Sequence, residues 1–599
     1  MFDFVLTVSD GADHGSPLNL SKYAAYKPEK TLRFSTGCGP EISVEAFWWE
    51  SHPFHSLTDR IHHGRGGFSL LAGYPLDESM KPIRRVKDFD PTRAKDYDGD
   101  YFYLHVSEAG DCQVLKSPVC SYPLYVGRSN GNEVLASRAM LAVCAATGKN
   151  NPLPELGFAR WICTYGGAGN TDALFEGTRN VLWNESVSIQ NGQIEISKPA
   201  YDFLIDYEMQ EGYTRSPKKF WDEVFDYLVA SMSVLEFSEL PIQFPLSGGK
   251  DSRLLLGLII ASGNRERLSR VFTNGPAVSP EVRAAQLVCE ALGLKHEFVD
   301  HTSISKPQKF TMDDKILRHV HTTEGEMSPH DPTYGGRPSR IIQLHGLESG
   351  LRNIAGTRDL STREKLLDWY DVHLAHGDKC QLYLSGPAEK NLDDTRDFVD
   401  RAIAAGLNAD QIPTLHRILL RSGRWVSRTW RSYNDRFFAP YLFANTTLLK
   451  ASFNIGAQAR GREEFHFEML RRISSDLIEV PFSGQKWDSS MLERSGLEPT
   501  QPLSWPQHTK PRETKNTHSA IYKNLDEFRQ FLIKHEGYVT NRLLDREKLA
   551  SFSLDGAHPS IYLAFWNIIQ LSAIELAPDL DTFSCGAVGP DIGLPSFDS

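Results

Sequence analysis

The chain is predicted to be an α/β protein, with a mostly β N-terminal part ahead of a doubly wound parallel sheet and a helical C-terminal part. Three observations carry that prediction. The short apolar segment Pro241–Pro245 meets a Ser-Gly-Gly turn at Ser247–Gly249, and the apolar run Leu254–Ile260 follows at once, a strand–loop–helix pattern. Apolar strand-like segments then alternate with helical ones, as a parallel sheet with crossover helices requires. Ahead of this region, short alternating segments sit between turn clusters, with few helical patches.

With 599 residues the chain exceeds what one hydrophobic core holds, so two or three domains are expected. A net charge of −11, spread along the chain, argues against sequence-independent nucleic-acid binding, which needs a basic face. Met1–Asp10 has no basic region followed by an apolar core, so no signal peptide is expected. The longest apolar stretches, such as Leu254–Ala261, fall far short of a membrane span. The eight cysteines contain no CxxC pair, which fits reduced thiols in a cytoplasmic protein and removes the usual structural zinc signatures.

In chain order, Phe4–Val8, Asp100–Val106 and Leu124–Val126 read as strands, with a turn at Ser129–Asn132. Helical patches fall near Ser137–Thr147 and Leu156–Cys163. The polar stretch Tyr207–Pro217 reads as an interdomain connection. An amphipathic helix follows, with Phe220, Val224, Phe225, Leu228, Val229 and Met232 near helical spacing. A second strand is expected at Arg270–Asn274. The helix after it begins at Ser279-Pro280-Glu281, where a Ser cap, a Pro in the first turn and an early acid favour a start. A third strand, Arg340–His345, runs into the loop Gly346–Gly350. Loops 247–253, 273–278 and 345–350 are thereby expected on the carboxyl edge of one sheet, where such folds bind ligands. Residues 360–599 read as mainly helical, including Leu448–Ile455, Glu463–Ser475 and Ile561–Leu576.

The turn at Ser247 has the chemistry of an anion site. Gly248 and Gly249 allow backbone N–H groups to approach a phosphate, and the following helix points its positive end there. Ser247 and Ser252 offer hydroxyl donors, Lys250 adds charge, and Asp251 can hold Mg²⁺ through oxygen. The spacing is not that of the Walker loop. The plain alternative is a glycine-rich turn with no ligand. As SGGxDS it looks like the pyrophosphate loop of enzymes that cut ATP between its α- and β-phosphates.

The wider sequence resembles the asparagine synthetase superfamily, which includes β-lactam synthetases and lasso-peptide cyclases. The likeness rests on Ser247–Ser252, Ser279-Pro-Glu281 with Ala285, Leu292–His296, the Gly346 loop, Ala439–Leu442 and Val480–Trp487. In the N-terminal part, Gly99–Phe102, Ser121–Tyr125, Ala136–Arg138 and Leu174–Gly177 are similar to that family's glutamine amidotransferase domain. The resemblance implies an Ntn-type αββα domain over residues 1–205, an ATP pyrophosphatase domain over 206–497 and a helical extension over 498–599.

It also implies roles for residues. Leu246, Ser247, Gly248, Gly249, Lys250, Asp251, Ser252, Phe272, Thr273 and Gly346 are expected to hold ATP. Leu246 would cover the adenine and the strand at Phe272 and Thr273 would read its edge; core roles are the alternative for Leu246 and Phe272. Asp251 would bind Mg²⁺, with Glu348 as second ligand under a small shift of register; ungapped, that position falls on Gly350. The alternative for Glu348 is a loop carboxylate facing water or paired with Arg352. Lys486 matches a lysine that stabilises the tetrahedral oxyanion, against the alternative of a surface lysine beside a packed Trp487. Glu324 and Glu326 are candidates to orient or deprotonate an amine, the alternative being solvated loop carboxylates. His321, His330 and Asp331 fit no common zinc spacing.

These residues lead to an expected ATP-dependent ligase that adenylates a carboxylate, releases pyrophosphate and joins the acyl group to an amine. The family's glutaminase carries a Cys nucleophile directly after the initiator Met, where this sequence has Phe2, without thiol or hydroxyl. The amine is therefore expected from the substrate itself, as in lactam or macrolactam formation on a peptide or amino-acid-derived carboxylate. A precursor peptide and a protease are the partners this implies, with neither nucleic acid nor membrane. Asparagine synthesis from free ammonia and a nucleotide-binding scaffold stay open as alternatives. Glutamine incubated with the purified protein should release ammonia only at the rate of a protein-free blank, and measurable turnover would overturn the reading of Phe2.

Overall fold

The computed structural model describes residues 2–583 apart from 10–17, 26, 37–40, 50–55, 130, 165–168, 191, 300–311, 327–339, 347–349, 378–381, 435–436, 444, 507–524, 553–559 and 578. The protein is a mixed α/β structure with antiparallel sheets, one four-stranded parallel sheet and many helices. No helix among the described residues is long and apolar enough to cross a membrane.

Two antiparallel sheets make up the N-terminal part. The first contains β1 (Phe2–Ser9), β2 (Lys30–Ser35) and β3 (Glu41–Trp48). The second is a meander of β4 (Ile61–Gly64), β5 (Gly67–Leu76), β6 (Asp98–Val106) and β7 (Cys112–Lys116). β8 (Tyr125–Ser129), β9 (Asn132–Ala136) and β10 (Thr178–Asn180) complete the first sheet in the order β10-β8-β9-β1-β3-β2. β1 alternates an apolar face, Phe2, Phe4, Leu6 and Val8, with a mixed face, Asp3, Val5, Thr7 and Ser9. Phe2, Phe4, Leu6 and Val8 pack with Phe68, Leu70 and Phe102 of the meander, while Val5 packs against the helix Ala139–Thr147. A ribbon of β11 (Val187–Gln190) and β12 (Gln193–Ile196) follows.

The parallel sheet consists of β13 (Ile242–Pro245), β14 (Leu268–Asn274), β15 (Glu297–Val299) and β16 (Ile342–Gln343), in the order β15-β14-β13-β16. All three pairings are parallel, so the loops after β13, β14 and β16 share one edge. The third strand is shorter than the sequence suggests. Only Ile342 and Gln343 pair with β13, itself four residues long, before the chain turns towards Ser252.

The expected connection Tyr207–Pro217 is helical over Tyr207–Arg215. The Asp206 carboxylate accepts from the Met209 N–H and caps it, and Pro217 opens the next helix, Pro217–Ser231. The polarity of Tyr207–Arg215 reflects an exposed helix with no buried residues.

Glu324 and Glu326 lie neither in solvent nor against the Ser247 loop. Both are buried, at 0% and 2% exposure. The helix Met312–Thr323 ends with Glu324 and Gly325 at φ of 51° and 74°, a turn that aims Glu324 at another helix. That helix, Ala139–Thr147, has Arg138 at its cap position and no side-chain cap. Glu324 supplies the acceptors instead: Ala139 N–H reaches Oε2 at 3.0 Å and Met140 N–H reaches Oε1 at 2.7 Å. Arg428 donates to the same carboxylate, and Arg138 lies 3.6 Å from it. Glu326 accepts from the Tyr125 hydroxyl at 2.6 Å, with Arg424 at 3.6 Å.

Arg424 and Arg428 come from one long helical stretch, Ile412–Asn434, whose middle, Arg417–Val426, is π-helical. Arg424 donates to the carbonyls of Asn170 and Asp172, and Arg431 to the Phe2 carbonyl at 2.7 Å. Burial opposes a charge on Asp3, but Arg431 and Arg138 outweigh it and hold the carboxyl below its ordinary value. Glu324→Ala would leave two buried guanidinium groups and two N–H donors without that carboxylate. It should cost about 3–5 kcal/mol in denaturant unfolding, and unchanged stability would remove Glu324 from this structural role.

Candidate functional site

β13 carries the chain into Leu246, whose N–H continues the ladder to the Phe272 carbonyl at 2.8 Å. The next three N–H groups turn inward and meet side-chain oxygens. Ser247 N–H reaches Ser252 Oγ at 3.2 Å, Gly248 N–H reaches Glu281 Oε2 at 2.5 Å, and Gly249 N–H reaches Ser247 Oγ at 3.2 Å. The two serine hydroxyls are 2.8 Å apart. Gly249 stands at the cap of the helix Lys250–Ala261 without a side-chain cap, so donors and helix dipole converge on this turn. Gly346 is required by space: a Cβ there would lie 2.5 Å from Ser252 N and Cα, which packs the third loop onto the first.

Asp251, in the first turn, is held on both sides. His466 Nε2 lies 2.7 Å from Oδ1 and Arg352 Nη2 lies 3.2 Å from Oδ2. Arg352 also donates to Glu463 at 3.2 Å. Burial opposes the charge on Glu463, yet Lys250, His466 and Arg352 together keep its carboxyl below the ordinary range.

Lys250 does not point its ammonium into the loop. It is buried, pairs with Glu463, donates to the Lys486 carbonyl at 3.1 Å and sits 4.5 Å from the Trp487 ring centre. Burial pulls its pKa down, and Glu463 pushes back. Arg253 adds a second clamp, donating to the carbonyls of Leu477, Val480 and Pro481 while stacking 3.9 Å from the Phe482 ring centre. Burial lowers its guanidinium to about 9. The segment 481–487 is thus anchored by Phe482 and Trp487, while Lys486 itself is exposed.

The adenine-side residues are engaged in the sheet. Leu246 is 2% exposed, and its carbonyl accepts from Thr273 Oγ1 at 2.6 Å. The same hydroxyl contacts His296 Nε2 at 2.9 Å. Half-buried Phe272 stacks beneath the Arg270 guanidinium, 4.7 Å from its ring centre. Glu348, His330 and Asp331 lie outside the described residues. Among the described residues no group of three His, Cys, Asp or Glu side chains could hold a metal.

Asp251 alone still fits one protein ligand of Mg²⁺, which is commonly bound through one or two carboxylates with the rest from phosphate and water. Each of its oxygens keeps a second lone pair beyond the bonds to His466 and Arg352.

The structure therefore brings Ser247–Ser252, Asp251 and Gly346 together and turns Lys250 away. It adds Glu281, Ser483, Arg352, Glu463, His466 and Arg253, which the sequence reading did not assign. Only Glu281 had a local signal, as the acid of Ser279-Pro-Glu; Arg253 lies beside the turn but shows its partners only in the fold, and the others meet the loop through long-range packing. No family model matches the chain, and no curated protein matches it.

Lys250→Met, which keeps the length of the side chain but not its charge, should leave inorganic pyrophosphate affinity within about twofold. It should lower stability by about 1–3 kcal/mol through loss of the Glu463 and Lys486 contacts. A tenfold loss of affinity without destabilisation would make Lys250 a phosphate ligand instead.

Proposed function

We propose that this chain is an ATP-dependent amide-bond-forming ligase that adenylates a substrate carboxylate, releases pyrophosphate and passes the acyl group to an amine. One observation supports it above the rest: three inward N–H donors of Ser247–Gly249 precede a helix start at the carboxyl edge of a parallel sheet, with Asp251 in the first turn. Such a turn suits a diphosphate, because its donors are already aimed where negative charge collects.

In this reading the Ser247, Gly248 and Gly249 N–H groups and the Ser252 hydroxyl bind and orient the departing diphosphate. Asp251 would hold Mg²⁺, which when bound neutralises charge on the phosphates. Arg352, 3.2 Å from both Asp251 and Glu463, is placed to exchange those carboxylates for phosphate oxygen. Lys486, outward-facing on an anchored segment, is the cation for the oxyanion formed when the amine attacks. Phe2 opens β1 with a side chain that lacks a nucleophile, and its ring packs against Trp48 and Tyr122 at 6.4 and 5.9 Å. The reading therefore keeps the amine on the substrate, with lactam or macrolactam formation on a peptide or amino-acid-derived carboxylate.

A second reading, a nucleotide-binding scaffold without turnover, is favoured by the fact that both Asp251 oxygens are held by protein groups. ATP–pyrophosphate exchange across a panel of carboxylates and short peptides separates the two. Exchange should appear with at least one acceptor, and Asp251→Ala should lower it by about 100-fold or more; silence with every acceptor favours the scaffold. Lys486→Ala should leave exchange within about threefold while cutting amide product by about 100-fold, and undiminished product would remove Lys486 from the chemistry.

A further inference from the structure

The geometry points to Glu281 as an affinity-determining residue of the nucleotide site: its carboxylate occupies the place of a phosphate oxygen and competes with phosphate for the Gly248 N–H. This rests on the nucleotide-site reading above. An N–H in a glycine turn before a helix start is a donor for an anion, and here the anion is supplied by the chain itself, with Glu281 Oε2 at 2.5 Å. The other oxygen, Oε1, accepts from the Ser483 hydroxyl at 2.7 Å. A Cβ at position 248 would run into Ser483 Oγ and come within 3.1 Å of Glu281 Oε2. That glycine therefore admits the carboxylate just as it would admit a phosphate.

The base of Glu281 is fixed in a helix, and its tip is held by the Gly248 N–H and the Ser483 hydroxyl. It sits in the first turn of Pro280–Ala291, between buried Pro280 and Val282, with Ser279 Oγ accepting from the Val282 N–H at 3.2 Å. The residue as a whole is exposed, so rotation of its side chain can carry the carboxylate into solvent without unpacking the helix.

Two anions cannot share one donor at this spacing, because their like charges repel. Each phosphate that enters must displace Glu281, and Glu281 returns when the phosphate leaves. A ligand with few phosphate contacts competes poorly against a carboxylate tethered beside the donor. A nucleoside triphosphate, with the contacts of its nucleoside added to those at Ser247, Gly249 and Ser252, can prevail. Pyrophosphate left after transfer keeps the turn's contacts but has lost those of the nucleoside, so the same carboxylate favours its departure. Glu281 thus biases the site towards the intact nucleotide and against its inorganic product.

Titration calorimetry with inorganic pyrophosphate at constant Mg²⁺ tests this on the full chain, using wild type, Glu281→Gln, Glu281→Ala, Ser483→Ala and Asp251→Ala. Both Glu281 variants should bind pyrophosphate about tenfold more tightly than wild type. Ser483→Ala, which frees one carboxylate oxygen, should shift affinity the same way by about threefold. Wild-type or weaker affinity in both Glu281 variants, with Asp251→Ala still impaired, overturns this inference and leaves the nucleotide site standing. If no protein in the set binds pyrophosphate or ATP, the nucleotide-site reading fails and the inference with it.

Discussion

Two main-chain N–H groups at the start of the helix Ala139–Thr147 have no acceptor nearby in the chain, since Arg138 stands where a Ser, Thr or Asp cap would. Their acceptor is Glu324, 185 residues away from Ala139, and once that carboxylate is buried it requires a cation. Arg428 and Arg138 meet the requirement, and Arg431 and Arg424 extend it to Asp3, Phe2 and the carbonyls at 170 and 172. Each group makes sense only in the presence of the others. The N-terminal sheets, the helix Met312–Thr323 and the arginine-bearing helix are therefore held as a single arrangement.

A similar economy governs the edge of the parallel sheet. The inward donors of Ser247–Gly249 each find a side-chain oxygen, so the protein's own groups hold the shape of the turn. Behind it, Lys250 and Arg253 use their charges on main-chain carbonyls of 477–486. Lys250, which looks suited to phosphate in the sequence, is instead with Arg253 a fastening between a helix and the segment that carries Lys486. Pre-organisation of this kind matters wherever charge develops during a reaction, because little reorientation is left to do.

What could be read in the sequence was what is encoded locally. The turn at Ser247 and the helix after it follow from spacing, and the helix at Pro280 follows from its Ser cap and Pro. The shared edge of the three loops follows from the alternation of strands and helices. The helix at Tyr207–Arg215 went unread because an exposed helix and a polar connection have much the same composition, and only the cap at Asp206 marks the helix. Glu324 and Glu326 were misread for a different reason. A carboxylate in a Gly-containing stretch looks solvated until its partners, far off in the chain, are known. His466 and Glu463 gave no sign at all, since their spacing on a helix is equally that of a packed face.

The π-helical segment Arg417–Val426 has a consequence for the arginines beyond it. Such a segment accommodates its hydrogen bonds one residue wider than the α-helix on either side. One residue more or fewer there would turn the remainder of the helix by about 100°. The guanidinium groups of Arg428 and Arg431 would swing away from Glu324 and Asp3 in the same movement. Tolerance to insertion in this stretch is thus a matter of angular phase, and a change conservative in composition could still put the whole seam out of step.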